Sequence, residues 1–354
     1  MLTRVGVASE LLYDGLEILA TMPPRLQVQV EKGLRVAGGQ VVRQVVGLQA
    51  YWQFLSRTRG CDVIVVVDGL PHPFVRGALH LDELRAKFPD KPVVLYDLFY
   101  LGTRGPWAKW IRDGNPDKGL PPGGHGLEPF DWYLTASTES EVPLPREPQP
   151  LSVIGVDLDD GSLRVDQKGE FKVLLDFEHP PNMRERAVQI LACEETGTTY
   201  EVLNGRYSIE DIRAVYRRSS IFFLSMRESF GLPICEVQAC GNYVFTPHAN
   251  WAPAHWLKPD PHAAGAGTLS ENFVVYNNDK ETLKKELLRV RASYDAVKVA
   301  QTFDAVHRRY FRGEDQGIRD FLRRVEAGRI YAGKHREYGS LLRPLLQQDF
   351  SWWP

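Results

Sequence analysis

The segment that decides the fold reads Ser225-Met-Arg-Glu-Ser-Phe-Gly-Leu-Pro-Ile-Cys-Glu-Val-Gln-Ala-Cys-Gly-Asn-Tyr-Val-Phe-Thr246. It starts at the end of one apolar run and closes on another, with Gly231 in a loop and Pro233 where a helix begins. The pattern predicts the order strand, loop, helix, strand. Such a corner places unpaired backbone N–H groups at the carboxyl edge of a parallel sheet, beside the positive end of a helix. We therefore expect an anion site here that fits a diphosphate.

Two glutamates flank this predicted anion site. Glu228 falls in the loop and Glu236 one turn into the helix, with seven residues between them. A carboxylate accepts hydrogen bonds from sugar hydroxyls, so the pair suits an anionic ligand that carries a sugar. A structural explanation also stands, because a proline and a glutamate in the first turn suit the start of any helix.

Apolar runs of strand length alternate with helical patterns on both sides of a proline-rich stretch. This alternation is typical of βαβ units and parallel sheets. The predicted strands are 4–8, 40–46, 62–67, 92–96 and 131–135 in the first half, and 171–176, 199–203 and 221–225 in the second. Residues 141–150 include four prolines and form the predicted domain boundary. We expect Rossmann-like α/β domains over 1–150 and 151–325, and a helical tail over 326–354 that packs back on the first domain.

Size and charge exclude several classes of protein. A chain of 354 residues is long for one hydrophobic core and fits two domains. The net charge of -2 gives no basic field, so we expect no nucleic-acid partner. Four cysteines without a CxxC pair and a start that lacks a signal-peptide pattern predict a cytoplasmic protein. No apolar run reaches the ~18–20 residues of a membrane span, which leaves peripheral association open.

The sequence predicts neither a metal nor a cofactor. Its nine histidines lack the spacing of a zinc site, and no GxxxxGK[ST] loop occurs. An Asp-x-Asp pattern is present at Asp157-Leu-Asp159-Asp160. We assign that pattern to the turn between the domains.

Residues 225–246 resemble the signature of the large retaining GT-B glycosyltransferase family, in which two glutamates with seven residues between them bracket a Phe-Gly-Leu-Pro loop. The resemblance extends over about 130–246, and it implies two doubly wound Rossmann-like domains that face each other across a cleft. It also implies that Glu236 accepts hydrogen bonds from the nucleotide ribose and that Glu228 contacts hydroxyls of the donor sugar. The backbone N–H groups of Phe230, Gly231 and Leu232 would then face the sugar and phosphates.

The sequence departs from that family where cations are expected. Family members usually carry Gly-Arg followed by Lys-Gly after the first strand of the second domain, and these cations neutralise the leaving diphosphate. Residues 176–186 contain neither dipeptide. Arg184 and Arg186 open a predicted helix at about the right place, and we assign the catalytic cation to Arg184. The alternative is that both are solvated helix residues.

Further donor contacts are expected in two loops. Arg206 and Tyr207 follow a predicted strand of the second domain, where the nucleotide base rests in this architecture, and either side chain can stack on the base. A turn set by Asn204-Gly205 is the simpler explanation of that stretch. Gly15 falls in the loop after the first strand, which in the family approaches the sugar and the diphosphate.

Acceptor contacts are expected in the first domain. Asp68, His72 and Asp97 follow the carboxyl ends of two predicted strands, so they point toward the expected cleft and can orient an acceptor hydroxyl. His72 stands between two prolines and has an equally plain explanation as a loop residue.

The sequence thus predicts a metal-independent, retaining glycosyltransferase. It would move a sugar from a nucleoside-diphosphate sugar to an acceptor hydroxyl of a glycan, a lipid-linked sugar or a small molecule. Two alternatives stay open, a nucleotide-sugar epimerase and a subunit of the same architecture that binds a nucleotide sugar without turnover.

Overall fold

The computed structural model describes residues 5–7, 61–67, 85–86, 88–96, 130–136, 150–167, 169–228, 230–260 and 266–338. These residues divide into two compact units. The first unit contains the described residues up to Thr135, those numbered 150–153 and those numbered 315–338. The second unit contains the described residues between 154 and 314, together with Ala136.

The first unit is built on a five-stranded parallel sheet. Its strands are β1 Val5–Val7, β2 Val63–Val67, β3 Val93–Tyr96, β4 Trp132–Thr135 and β5 Leu151–Val153, in the spatial order β1-β2-β3-β4-β5. All four residues of β4 are buried, as expected for a parallel strand covered on both faces. The predicted strands 62–67, 92–96 and 131–135 are confirmed, and the predicted strand 40–46 lies outside the described residues.

Two segments beyond the proline-rich stretch belong to this first unit. Strand β5, which the sequence placed at the start of the second domain, pairs with β4, and Trp132 Nε1 donates to Ser152 Oγ at 2.9 Å. The last α-helix of the described residues, α6 Asp315–Glu326, packs on β5. The residues after it are anchored to the buried Asp131, which accepts hydrogen bonds from the backbone N–H groups of Gly333 and His335.

The second unit is built on another five-stranded parallel sheet. Its strands are β6 Val173–Leu175, β7 Tyr200–Val202, β8 Ile221–Phe223, β9 Tyr243–Thr246 and β12 Phe273–Val275, in the order β12-β9-β8-β6-β7. A short antiparallel pair, β10 Lys258–Pro259 and β11 Gly267–Thr268, lies between β9 and β12 in the chain. Two parallel sheets with helices confirm the predicted α/β class.

Helices cover both faces of the second sheet. They are α1 Met183–Glu195, α2 Ile209–Arg218, α3 Leu232–Ala239, α4 Lys280–Ser293 and α5 Ala296–His307. Helix α1 packs on α4, whereas α3 packs on α2 and α5. Right-handed crossovers from β6 to β7 and from β7 to β8 run in opposite directions, so α1 and α2 lie on opposite faces. The unit is therefore doubly wound.

Burial and capping explain these elements locally. The strand residues Val173, Ile221 and Phe223 are fully buried and pack on the face that carries α1 and α4. Helix α2 begins where Ser208 Oγ accepts a hydrogen bond from Asp211 N at 3.1 Å, which satisfies one free N–H of the first turn. The start of α2 is thus fixed by a side-chain cap.

Candidate functional site

The candidate site lies where the winding of the second sheet reverses. From β6 the chain passes to α1 on one face, and from β8 it passes to α3 on the other, so the carboxyl ends of these neighbouring strands open a crevice. Ligands of open α/β sheets bind at such a switch point. Ser225 ties the two strand ends together, because its Oγ lies 3.1 Å from Asp176 Oδ2 and 2.6 Å from the Phe177 carbonyl oxygen.

Glu228 carries a buried carboxyl oxygen at this crevice. Its Oε2 has no hydrogen-bond partner among the described residues. A Cβ atom at position 231 would lie 2.1 Å from that oxygen, and Gly231 has a φ of +63°, so both space and backbone require glycine there. Burial, and then the nearby Asp176, raises the pKa of Glu228 to about 7.

Asp176 is the acidic neighbour of Glu228, and sequence reasoning gave it no role. It follows β6 directly, is buried, and accepts a hydrogen bond from Phe177 N at 2.7 Å. Burial raises its pKa, and hydrogen bonds from Phe177 and Ser225 oppose that rise. An acidic residue directly after an apolar strand was a signal for it, but strand order was needed to place it beside Glu228.

The loop before α3 is anchored from below. Phe230 is fully buried, and its ring stacks on His255 at a centroid distance of 5.8 Å and meets Tyr310 edge-on at 4.8 Å. His255 Nε2 lies 2.6 Å from the Phe230 carbonyl oxygen. Burial lowers the pKa of His255 to about 4, so its ring is neutral at pH 7. The loop is therefore held in place by aromatic packing beneath Phe230.

Helix α3 has Gly231 as its N-cap residue, and its amino end faces the crevice. The Gly231 carbonyl oxygen accepts from Ile234 N at 3.0 Å and from Cys235 N at 3.3 Å. The N–H groups of Gly231 and Leu232 precede these first bonds and lie outside the helical ladder. Leu232 is 38% exposed at the first helical position. The arrangement matches the one that binds phosphates at helix starts.

Glu236, one turn into α3, is held by an arginine of α2. Arg213 donates from Nε and Nη2 to Glu236 Oε1, at 3.1 and 2.9 Å. Burial raises the pKa of Glu236, and the bonds from Arg213 oppose that rise. Sequence reasoning missed Arg213, because an arginine within an amphipathic helix carries no mark of its partner.

The two candidate cations at the start of α1 occupy different environments. Arg184 is exposed on the first turn of the helix. Arg186 is 3% exposed and donates to the carbonyl oxygens of Asp176 and Phe177, so it supports the backbone at the end of β6. The assignment of a catalytic cation to Arg184 stays a prediction.

The predicted base-binding loop brings one of its two residues toward the crevice. Tyr207 meets Phe177 edge-on at a centroid distance of 6.0 Å, and Phe177 follows β6. Arg206 is exposed. Gly205 has a φ of +74°, which agrees with the simpler explanation of a turn at this point.

Other predictions fall outside the described residues or have structural partners. Outside the described residues lie Gly15, Asp68, His72 and Asp97. Asp159 and Asp160 of the Asp-x-Asp pattern pair with Arg312 and Arg213. Within the described ranges no group of acidic, histidine or cysteine side chains is arranged to hold a metal ion.

The described part of the chain also contains no helix with the length and apolar character needed to cross a bilayer.

Comparison with known proteins gives little beyond this geometry. No protein-family model and no curated protein matches the chain. Among solved structures it is similar to the catalytic domain of starch synthase IV from Arabidopsis thaliana bound to ADP and acarbose. The two share 12% sequence identity over 87% of this chain and 77% of the other, with a TM-score of 0.43. A likeness this weak carries no conclusion about function.

Proposed function

We propose that this protein is a glycosyltransferase of the GT-B kind, whose second unit binds a nucleoside-diphosphate sugar. The observation that carries the proposal is one helix start flanked by two unlike carboxyl groups. Glu228 presents a buried oxygen without a hydrogen-bond partner among the described residues, and Glu236 is held by Arg213. Both lie at the switch point of a doubly wound sheet, where such sheets bind nucleotides.

Each part of the ligand has a place in this arrangement. The diphosphate would bind at the amino end of α3, where Gly231 and Leu232 offer N–H groups and the helix dipole favours negative charge. Glu236 would accept hydrogen bonds from the ribose, and Glu228 would contact a hydroxyl of the sugar. Tyr207, beside Phe177, would stack on the base.

The main requirement of the proposed reaction is that the negative charge on the leaving diphosphate is stabilised. The bond between the sugar C1 atom and the diphosphate oxygen breaks, the acceptor oxygen binds C1, and the acceptor hydroxyl gives its proton to the departing diphosphate oxygen. Charge develops on the diphosphate, where the helix start and Arg184 would stabilise it without a metal. Retention of configuration is proposed from the resemblance of residues 225–246 alone. The acceptor class stays a prediction: a glycan, a lipid-linked sugar or a small molecule.

Donor binding tests the proposal directly. UDP-, GDP-, ADP- and TDP-sugars are screened for a rise in the midpoint of thermal unfolding. A donor at 100 times its dissociation constant stabilises the folded state by about 2.7 kcal/mol. Glu236→Ala should abolish that stabilisation and turnover, while Glu286→Ala, at a partly exposed position of α4 that pairs with Arg289, should retain both. If no donor shifts the wild-type midpoint, or Glu236→Ala keeps wild-type rates, the proposal is wrong.

One observation favours a second candidate, a subunit that binds the donor without turnover. Residues 176–186 lack the cationic dipeptides of the family, and of the two arginines at the start of α1, Arg184 is exposed while Arg186 donates from Nη2 to the backbone at the end of β6. A subunit of this kind would bind a nucleotide sugar but neither transfer nor hydrolyse it. NMR of the sugar products separates the two candidates, and it also detects an epimerised donor.

A further inference from the structure

Arg213 joins the candidate site to a distant turn of the second unit. It is the fifth residue of α2, and its side chain is 11% exposed. On one side it donates to Glu236 Oε1 from both Nε and Nη2. On the other side its Nη1 donates to Asp160 Oδ2 and, at 2.7 Å, to Ser162 Oγ. The guanidinium is therefore fixed from two directions.

The turn that holds Arg213 is itself ordered by local hydrogen bonds. Asp160 Oδ1 accepts from Ser162 N at 2.9 Å and from Ser162 Oγ at 2.6 Å. Bonds from Ser162, and then from Arg213, lower the pKa of Asp160 to about 2. Asp160 thus stays ionised over the whole physiological range and keeps its pull on the guanidinium.

The two carboxylate oxygens of Glu236 have different surroundings. Both bonds from Arg213 go to Oε1, which leaves Oε2 as the oxygen available to a ligand. We propose that Arg213 is a positioning residue, which orients the Glu236 carboxylate and favours its ionised form so that Oε2 accepts a ribose hydroxyl of the bound nucleotide. This inference rests on the proposed function, since it assigns the ribose to Glu236.

Arg213 is the cation that balances the charges around Glu236. Among the described residues, the titratable and charged groups that interact with Glu236 are Arg213 and Tyr216 of α2, Asp160 of the turn and Cys235 of α3. Without Arg213, burial and Asp160 would both favour the protonated form of Glu236. A protonated carboxyl is a weaker acceptor, so nucleotide affinity should then rise with pH as Glu236 ionises.

Arg217 provides a matched control on the same helix. It lies one turn after Arg213, and its side chain is 17% exposed. It pairs with Asp166 at 3.1 Å and donates to the Ser162 carbonyl oxygen at 2.8 Å. These bonds go to residues 162 and 166 and not to Glu236, so removal of Arg217 measures the structural share of the effect.

The experiment measures the dissociation constants of UDP, GDP, ADP and TDP for the full chain at pH 6, 7, 8 and 9. For the nucleotide that wild type binds, Arg213→Gln should weaken binding roughly tenfold or more at pH 7. The deficit should shrink toward pH 9. Arg213→Lys keeps the charge but loses the forked geometry, so it should weaken binding a few-fold without a new pH dependence. Arg217→Gln should bind as wild type does at every pH.

The outcomes separate this inference from the proposed function. If wild type binds none of the four nucleotides, the proposed function fails and the inference fails with it. If wild type binds but Arg213→Gln keeps its affinity, or loses it equally at every pH, the positioning role is wrong. Should Arg213→Gln not fold, Arg213→Lys decides alone, because wild-type affinity in that variant contradicts the inference.

Discussion

Glu228 and Glu236 flank one helix start, yet the fold gives them opposite electrostatic surroundings. Glu228 has a buried oxygen without a hydrogen-bond partner among the described residues, and its charged neighbour is another carboxyl, Asp176. Glu236 receives two bonds from Arg213. Two carboxyl groups whose environments differ in this way can perform different tasks at one pH. Burial raises the pKa of Glu228 to about 7 with no cation among the described residues to oppose the rise, whereas Arg213 opposes the rise that burial causes at Glu236.

The largest expected effect on activity comes from a substitution at Gly231, in the corner between the two glutamates. Gly231→Ala would place a Cβ atom 2.1 Å from Glu228 Oε2 and 2.8 Å from Ile234 Cδ1, on a backbone with positive φ. We expect transfer activity to fall at least ~100-fold, since displacements of about 1 Å in a catalytic group have that effect. The measurement is kcat/KM for transfer from the donor that the thermal screen identifies.

A second glycine supplies the control for this variant. Gly197, after α1, has a φ of +58°, but a Cβ there would meet nothing within 4 Å. Gly197→Ala should carry only the backbone cost of about 1–2 kcal/mol in unfolding free energy, with kcat/KM for transfer unchanged. Equal losses of kcat/KM in the two variants would contradict a specific role for the corner.

The next largest effect concerns the stability cost of ionising the buried Glu228 carboxyl. The pKa of Glu228 is raised from 4.5 to about 7, so the folded state holds its proton more tightly than the unfolded state does. The stabilisation that comes from the protonated Glu228 carboxyl is fully present below about pH 4.5, and it is lost as the pH rises through 7. Glu228→Gln should therefore raise the unfolding free energy relative to wild type at pH 8, by no more than roughly 3 kcal/mol.

Urea denaturation at pH 4.5 and pH 8 measures this difference. The gain should be much smaller at pH 4.5, where the wild-type carboxyl is protonated. Glu236→Gln is the matched variant, and it should give no gain at pH 8, because it removes the partner of a half-buried arginine. A gain of the same size in both variants would mean that the two environments do not differ as described.

The smallest expected effect lies at the exposed end of the chain of bonds. Asp160 is 55% exposed on its side chain, so its pair with Arg213 is screened by solvent. Asp160→Asn should weaken nucleotide binding about two- to threefold, because an exposed pair contributes below ~1 kcal/mol. Isothermal titration at low and high salt measures it. A loss of affinity as large as that of Arg213→Gln would mean that Asp160, and not Arg213 alone, decides how Glu236 is positioned.

The sequence predicted much of the second unit because its signals there are local. Strand periodicity, the Gly231 loop and Pro233 lie within one short segment, and the observed order β8, loop, α3, β9 follows them. The positions of Glu228 and Glu236 on that corner follow as well. The sequence predicted that Leu151 belongs to the second domain, whereas the structure pairs β5 with β4 in the first unit. The residues of a strand do not by themselves determine which strand lies next to it.

The partners of the two glutamates were beyond the reach of the sequence. Arg213 lies 23 residues from Glu236, and Asp176 lies 49 residues from Ser225, which ties the two strand ends together. These contacts depend on β6 lying between β7 and β8, so that α1 and α3 leave the sheet on opposite faces. No local pattern encodes that strand order.

By itself, therefore, the sequence determined the α/β class, the corner at Gly231 and the two acidic residues on it, because periodicity and turn chemistry act over a few neighbouring residues. Only the tertiary structure decided which carboxyl meets a cation, which meets another carboxyl, and that Arg186 is buried while Arg184 is exposed. The physical reason is that charge and burial are set by residues distant in the chain, which strand order brings together.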